Sequence, residues 1–126
     1  MDDQKRHEQG MTVRRAVLGD AHVDRAVAKT NDFSSDFQDL ITRYAWGEIW
    51  SRPGLPRSTR SLITIAMTIA LNRGDELRLH LLGAINNGVS RQEIQEVLLQ
   101  SAIYCGVPAA NHAFHVAEEF FAELRG

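Results

Sequence analysis

Cysteine, proline, strand-like alternation, long apolar runs and blocks of like charge are all scarce in this chain, and each scarcity removes a class of protein. The single cysteine, Cys105, rules out an internal disulfide, so the expected setting is cytoplasmic. No apolar stretch approaches the ~18 residues of a membrane-spanning helix; the longest candidate, Leu62–Leu71, is interrupted by Thr64 and Thr68. The opening MDDQKRHEQGM is charged and lacks the apolar core of a signal peptide. With a formal net charge of −2 and no long block of one sign, neither nucleic acid nor a membrane is expected as a partner. Alternating strand-type runs are absent, and Asn87-Gly88 leads into a helix start instead of a hairpin strand.

What remains is ordinary globular material, 44% apolar and 24% charged over 126 residues. That length suits one domain burying roughly two-thirds of its unfolded surface. Helical periodicity then divides the chain. Asp3–Leu18 carries Val13, Ala16 and Val17 on one face, and Asp20–Lys29 follows Gly19 as a second helix. After the turn Thr30-Asn31-Asp32, Phe33–Trp46 spaces Phe37, Leu40, Ile41 and Tyr44 as a third. Gly47–Arg57 reads as irregular, because Pro53-Gly54 and Pro56 break helices and Trp46 and Trp50 suit an anchored loop. Arg57–Asn72 is the fourth helix, apolar on Leu62, Ile65, Ala66 and Ile69.

Asp75 to Asn86 or Asn87 is the fifth, and Gly88 terminates it. Ser90–Tyr104 is the sixth, opened by the capping box Ser90-x-x-Glu93 and apolar on Ile94, Val97, Leu98 and Ile103. Gly106 ends it, and Pro108 suits the first turn of the last helix, Ala109–Leu124, with Ala113, Phe114, Ala117, Phe120 and Phe121 at helical spacing. The expectation is an all-α bundle of about seven helices. It forms one domain over 1–126, with 1–30 as a helical arm and 31–126 as the core.

The fifth helix is the least generic. Leu77, Leu79, Leu81 and Leu82 go most of the way round it, which implies burial on several sides. Few helices are left to cover it, so a homo-oligomer is expected. Yet Glu76 and His80 stand four apart on one face, continued by Gly83 and Asn87. A polar stripe on such a helix must find partners or line a cavity, because an unpaired buried carboxylate is costly. Glu76/His80 fits an acid–base pair or a satisfied ion pair in a core. Arg60, which begins a stripe with Thr64 and Thr68, fits a bidentate carboxylate clamp or a snorkelling surface arginine.

His112, His115 and Glu119 fall near one face of the last helix, but ligands spread over that span of one helix need outside help to hold a metal, and none is expected. A histidine of that group at a pocket rim fits better. Cys105 fits a small buried hydrophobe better than a nucleophile. Trp46 and Trp50 fit packing anchors or the wall of an apolar ligand site.

An ordered set of short motifs resembles one family. Pro53-Gly54-Leu55, Arg60-Ser61-Leu62-Ile63-Thr64-Ile65-Ala66, Glu76-Leu77-x2-His80, Asn86-Asn87-Gly88-Val89-Ser90 and Tyr104-Cys105-Gly106-Val107-Pro108-Ala109-Ala110-Asn111 together look like the γ-carboxymuconolactone decarboxylases. These are small all-helical enzymes of aromatic-acid degradation, and the likeness covers essentially the whole chain. The wider superfamily includes the alkylhydroperoxidase D-type proteins, with C-x-x-C-x-x-x-H before a glycine. Aligning His80 with that histidine puts Glu76 and Arg73 where the two cysteines stand. Thiol–disulfide chemistry needs two nearby sulfurs, so this departure argues against a peroxidase and leaves the decarboxylase reading intact.

The resemblance implies an alkylhydroperoxidase D-like fold, assembly commonly as a hexamer (a trimer of dimers), and a lactone dicarboxylate substrate decarboxylated without a cofactor. Matched to what that chemistry needs, the polar stripes assign catalytic roles to Arg60, His80 and Glu76, with Trp50, His115 and Tyr104 as pocket candidates. Two rivals stand beside it: a superfamily member acting as a peroxidase or on another lactone, and a non-catalytic helical oligomer.

Overall fold

The computed structural model describes residues 2–125. Its elements are α1 (Asp3–Leu18), α2 (Asp20–Lys29), α3 (Ser35–Ile41) running directly into a π-helical segment (Thr42–Ile49), α4 (Arg57–Ala70), α5 (Gly74–Asn86), α6 (Arg91–Tyr104) and α7 (Val107–Arg125). No strand occurs among the described residues, and the all-α expectation is borne out. The chain packs as two compact units, Met1–Pro56 and Arg57–Gly126.

In the first unit α1 lies against the π-helical segment. Asp2 caps α1 by accepting a hydrogen bond from the Lys5 backbone N–H at 2.8 Å. The two elements approach backbone to backbone through glycines. A Cβ on Gly10 would stand 1.9 Å from the Thr42 carbonyl oxygen, and one on Gly47 would stand 2.3 Å from that of Arg6. The buried face of α1 is Gly10, Val13, Arg14, Val17 and Leu18, whereas Ala16, expected on it, is exposed.

Arg14 enters this interface because its guanidinium finds acceptors there, donating to Thr42 Oγ1 at 3.4 Å and Gln38 Oε1 at 3.2 Å. Burial, and then the charge of Arg15, holds Arg14 below the usual guanidinium range.

The third helix departs from a regular reading. It starts at Ser35, where Asn31 Oδ1 accepts the Phe33 and Ser34 N–H groups at 2.9 and 3.2 Å. It then widens into π geometry from Thr42 and stays helical to Ile49. The irregular stretch therefore shrinks to residues 50–56. At the exit the Gly47 carbonyl is taken by side chains, Gln9 Nε2 at 3.1 Å and Ser51 Oγ at 2.6 Å. These bonds satisfy a carbonyl that the ladder no longer uses. Trp50 stacks on Trp46 with ring centroids 5.1 Å apart, and both rings are buried, so the two tryptophans pack together at the end of the π-helical segment, while residues 52–57 beyond them are exposed.

The second unit contains a core of Ile65, Ile69, Leu77, Leu81, Ala84, Val89, Ile94, Leu98, Ala113, Ala117 and Phe120. Each fully buried leucine or isoleucine contributes about 1.5–3 kcal/mol relative to exposure. Helix α5 packs on α4 and α7, and α6 packs on α4 and α7. Asn72, at φ 57, turns the chain out of α4 two residues earlier than expected. The capping box of α6 is present in both directions, Ser90 Oγ accepting from Glu93 N–H at 3.1 Å and Glu93 Oε1 from Ser90 N–H at 2.9 Å. Gly106, at φ 97, separates α6 from α7. Helix α7 starts at Val107, so Pro108 lies in its first turn, where a missing N–H costs nothing. Ile103, expected to be apolar core, is instead exposed.

Candidate active site

The site expected from the sequence rests on α4 and α5, which pack directly on each other in the second unit. Leu77, Leu81 and Ala84 are buried and fix the rotation of α5. The stripe Glu76, His80, Gly83, Asn87 then runs along the flank of that face. Its residues differ in depth. Glu76 lies in the first turn and is exposed; His80, one turn further, is half-buried with its Nδ1 out of solvent. Ser61, Ile65 and Ile69 form the buried face of α4, and half-buried Arg60 flanks it with its Nε buried.

The two helices are tied at one end. Asn87 Nδ2 donates to Ser61 Oγ at 2.9 Å and to the Arg57 carbonyl at 3.4 Å. The C-terminal end of α5 thus meets the N-terminal end of α4, so the pair runs antiparallel. His80 stands about 10 Å back along α5 from that tie, and Arg60 stands next to Ser61 on α4. The threonines of the Arg60 stripe bond within their own helix, Thr64 Oγ1 to the Arg60 carbonyl and Thr68 Oγ1 to that of Ile65, both at 2.8 Å. Their hydroxyls are satisfied locally, which leaves the Arg60 guanidinium as the charged group of that stripe.

Other expected residues are spread more widely. Tyr104, the last residue of α6, is 82% exposed. The His115 side chain on α7 is 75% exposed, with Nε2 3.7 Å from Glu119 Oε1. Trp50 belongs to the first unit, where it stacks on Trp46. Cys105 is half-buried and packs against the core cluster.

His112 and His115 separate, although spacing grouped them. The His112 imidazole lies over the start of α5, with Nε2 2.9 Å from where a Cβ on Gly74 would be. The available signal was Gly74 itself, a glycine opening a helix where a neighbour comes close. Among the described residues no three of His, Cys, Asp and Glu come together as a ligand set for a metal ion. No helix among them is long and apolar enough to cross a membrane.

Chemically, this arrangement offers a guanidinium and an imidazole on neighbouring helices, a carboxylate one turn from the imidazole, and apolar core behind both. Such a set can hold an anionic substrate and deliver a proton.

Comparison with known proteins shows the family. Residues 35–119 match the carboxymuconolactone decarboxylase family. The chain is 55% identical over 124 residues to 4-carboxymuconolactone decarboxylase of Acinetobacter baylyi, covering 98% of this chain and 92% of that one. It is 44% identical over 117 residues to a nitrosuccinic acid decarboxylase of Metarhizium robertsii, covering 93% and 82% respectively. A 4-carboxymuconolactone decarboxylase sequence from Pseudomonas putida is 60% identical over 48 residues, which is all of that sequence and 38% of this chain. The matched segment runs from the start of α3 into the last turns of α7 and contains Arg60, Glu76 and His80. The chain belongs to the carboxymuconolactone decarboxylase family.

Proposed function

We propose that this protein is a 4-carboxymuconolactone decarboxylase. As a carboxy-lyase it would convert 4-carboxymuconolactone to 3-oxoadipate enol-lactone and CO2 in the protocatechuate branch of the β-ketoadipate pathway. The observation that carries this reading is the 55% identity, over 98% of the chain, to a relative of that name.

The substrate is a butenolide whose ring carbon bears both a carboxylate and an acetate arm. When the C–CO2 bond breaks, its electron pair stays on the ring carbon. The ring double bond passes that charge to the lactone carbonyl as a dienolate. Protonation next to the carbonyl then yields the enol-lactone. The electron sink belongs to the substrate, so the reaction as proposed needs no cofactor.

The protein must hold the arm carboxylate, stabilise the developing oxyanion and supply a proton. We assign the first task to Arg60 and the others to His80, with Glu76 orienting the imidazole and favouring its protonated form. The support is that Arg60 and His80 stand on packed helices at the edge of an apolar core, where poor solvation of the departing carboxylate favours its loss. Trp50, Tyr104 and His115 are proposed as substrate-pocket residues. Tyr104 and His115 are open to solvent in the single chain, so their roles would require cover from a second copy.

Assembly as a homo-oligomer, a hexamer of three dimers, is part of the proposal. Phe33, Phe37, Leu40 and Tyr44 form an exposed apolar stripe on the first unit, and Met67, Leu71, Ile103 and Val107 are exposed on the second. Surfaces of this kind call for a partner. Residues 1–126 are read as one functional domain working in the cytoplasm, in keeping with the single cysteine and the metabolic enzymes it is related to.

The second reading, decarboxylation of nitrosuccinate, is favoured by the relative of that name. One assay separates them. Purified protein with chelator and no added cofactor receives each substrate in turn, and substrate loss and CO2 release are followed together. Equimolar loss of 4-carboxymuconolactone and release of CO2 is the expected result. Turnover of nitrosuccinate alone would replace the first reading with the second.

A further inference from the structure

The first unit contains a charged cleft lined by none of the residues proposed for the decarboxylation. Helix α2 segregates its charges by face. Asp20 and Asp24 both turn to Arg15 on α1, at 3.1 and 2.9 Å. On a helical wheel the opposite side of α2 carries His22, Arg25 and Lys29, one cation-capable group on each successive turn. Those three line one wall of an open cleft of about 400 Å³. Thr30, Ser34 and Gln38 of α3 line it as well, and among the described residues no carboxylate does.

The other polar groups leave this wall cationic. The Thr30 hydroxyl donates to the Ala26 carbonyl at 2.9 Å, and Ser34 Oγ accepts from the Asn31 N–H at 3.1 Å. Gln38 Oε1 accepts from Arg14 at 3.2 Å, and its amide nitrogen carries two N–H donors. Gln38 thus adds a donor-bearing side chain from α3 to the cations of α2. In a chain with a formal net charge of −2, a small cavity lined by cations and an amide, with no acid among them, is matched to an anion.

We propose that the α2–α3 cleft is a binding site for a small dianion, a compact dicarboxylate or a phosphate, separate from the decarboxylase site on α4 and α5. Arg25 supplies a planar fork suited to two oxygens of one anionic group, and Lys29, one turn on, supplies a point charge for the second negative charge. A metabolite with two carboxylates and a phosphate share the chemistry the cleft would recognise.

The test is calorimetric titration of the full-length protein with inorganic phosphate and, separately, with succinate, at low ionic strength. The variants are Arg25→Gln/Lys29→Gln and Arg60→Gln. Arg25 and Lys29 are exposed, and matching thermal melts confirm that the double variant folds. The expected result is saturable binding of at least one probe, one per chain, weakened tenfold or more in Arg25→Gln/Lys29→Gln and unchanged in Arg60→Gln. Whichever probe binds identifies the source class. Absence of saturable binding for both probes, or binding that survives Arg25→Gln/Lys29→Gln, would overturn the proposal. Binding abolished by Arg60→Gln alone would likewise overturn it, by assigning the anion to the α4–α5 site.

Discussion

Asn87 on α5 donates its side-chain amide to the Ser61 hydroxyl on α4 across 2.9 Å, at a serine with no solvent exposure. This bond joins the α5 stripe to the buried face of α4 and sets the antiparallel register of the two helices, with Arg60 one residue from its acceptor. Removing one partner leaves the other buried and short of a bond. Asn87→Ala and Ser61→Ala are each expected to cost about 1–3 kcal/mol of stability. The double variant should lose less than the sum, because it removes both ends of one bond. Urea unfolding of the four proteins measures this. Additive losses would mean that the bond contributes nothing of its own.

Gly10 makes a closer approach than Gly47 in the first unit, since a Cβ there would stand 1.9 Å from the Thr42 carbonyl oxygen. The neighbour is backbone and cannot rotate away. Gly10→Ala is expected to separate α1 from the π-helical segment and to destabilise by about 1–3 kcal/mol, the usual range for overpacking. Ala16→Gly, on the exposed side of the same helix, controls for propensity and should cost only about 1 kcal/mol. Equal losses for the two variants would show that the close approach is not what the glycine is there for.

Ile103 is 79% exposed on α6 although its spacing assigns it to the core. In the proposed oligomer this residue faces another copy. Ile103→Lys is expected to reduce the sedimenting species to a smaller assembly while leaving the helical signal of each chain intact. An unchanged sedimentation coefficient would remove α6 from the interface.

Cys105 follows the last residue of α6 as its C-cap and packs its side chain on the core cluster. Cys105→Ser is expected to keep most of the turnover and to lose on the order of 1 kcal/mol of stability. A fall of about a thousandfold with the fold intact, the scale of losing a catalytic group, would make the thiol part of the chemistry.

The helices were legible where local rules act alone. The Ser90–Glu93 capping box, the left-handed Gly88 and Gly106, and Pro108 in a first turn all stand where backbone chemistry puts them. Reading failed where partners decide. The π-helical segment after Ile41 lies against α1, a partner that local spacing does not reveal, since Gln9 bonds the Gly47 carbonyl from 38 residues away. Periodicity marked Phe37, Leu40 and Ile103 as apolar but could not say whether the covering surface belongs to the same chain, and all three are exposed in it.

At the site, the i, i+4 spacing of Glu76 and His80 put them on one face of α5. Their unequal depths, Glu76 exposed and His80 half-buried, came from the rotation that Leu77 and Leu81 impose. The Ser61–Asn87 bond was not legible, because a serine and an asparagine carry no signal that they will meet across 26 residues.

The central claim is that His80 takes part in decarboxylation. The most direct measurement is CO2 release from 4-carboxymuconolactone per folded molecule, for the wild-type protein and His80→Ala side by side, with the folded fraction taken from thermal melts. A general acid contributes about 10²–10⁴ in rate, so the account predicts a loss of that size with a modest change in melting temperature. Near-normal turnover per folded His80→Ala molecule, however unstable that variant proves, would contradict it.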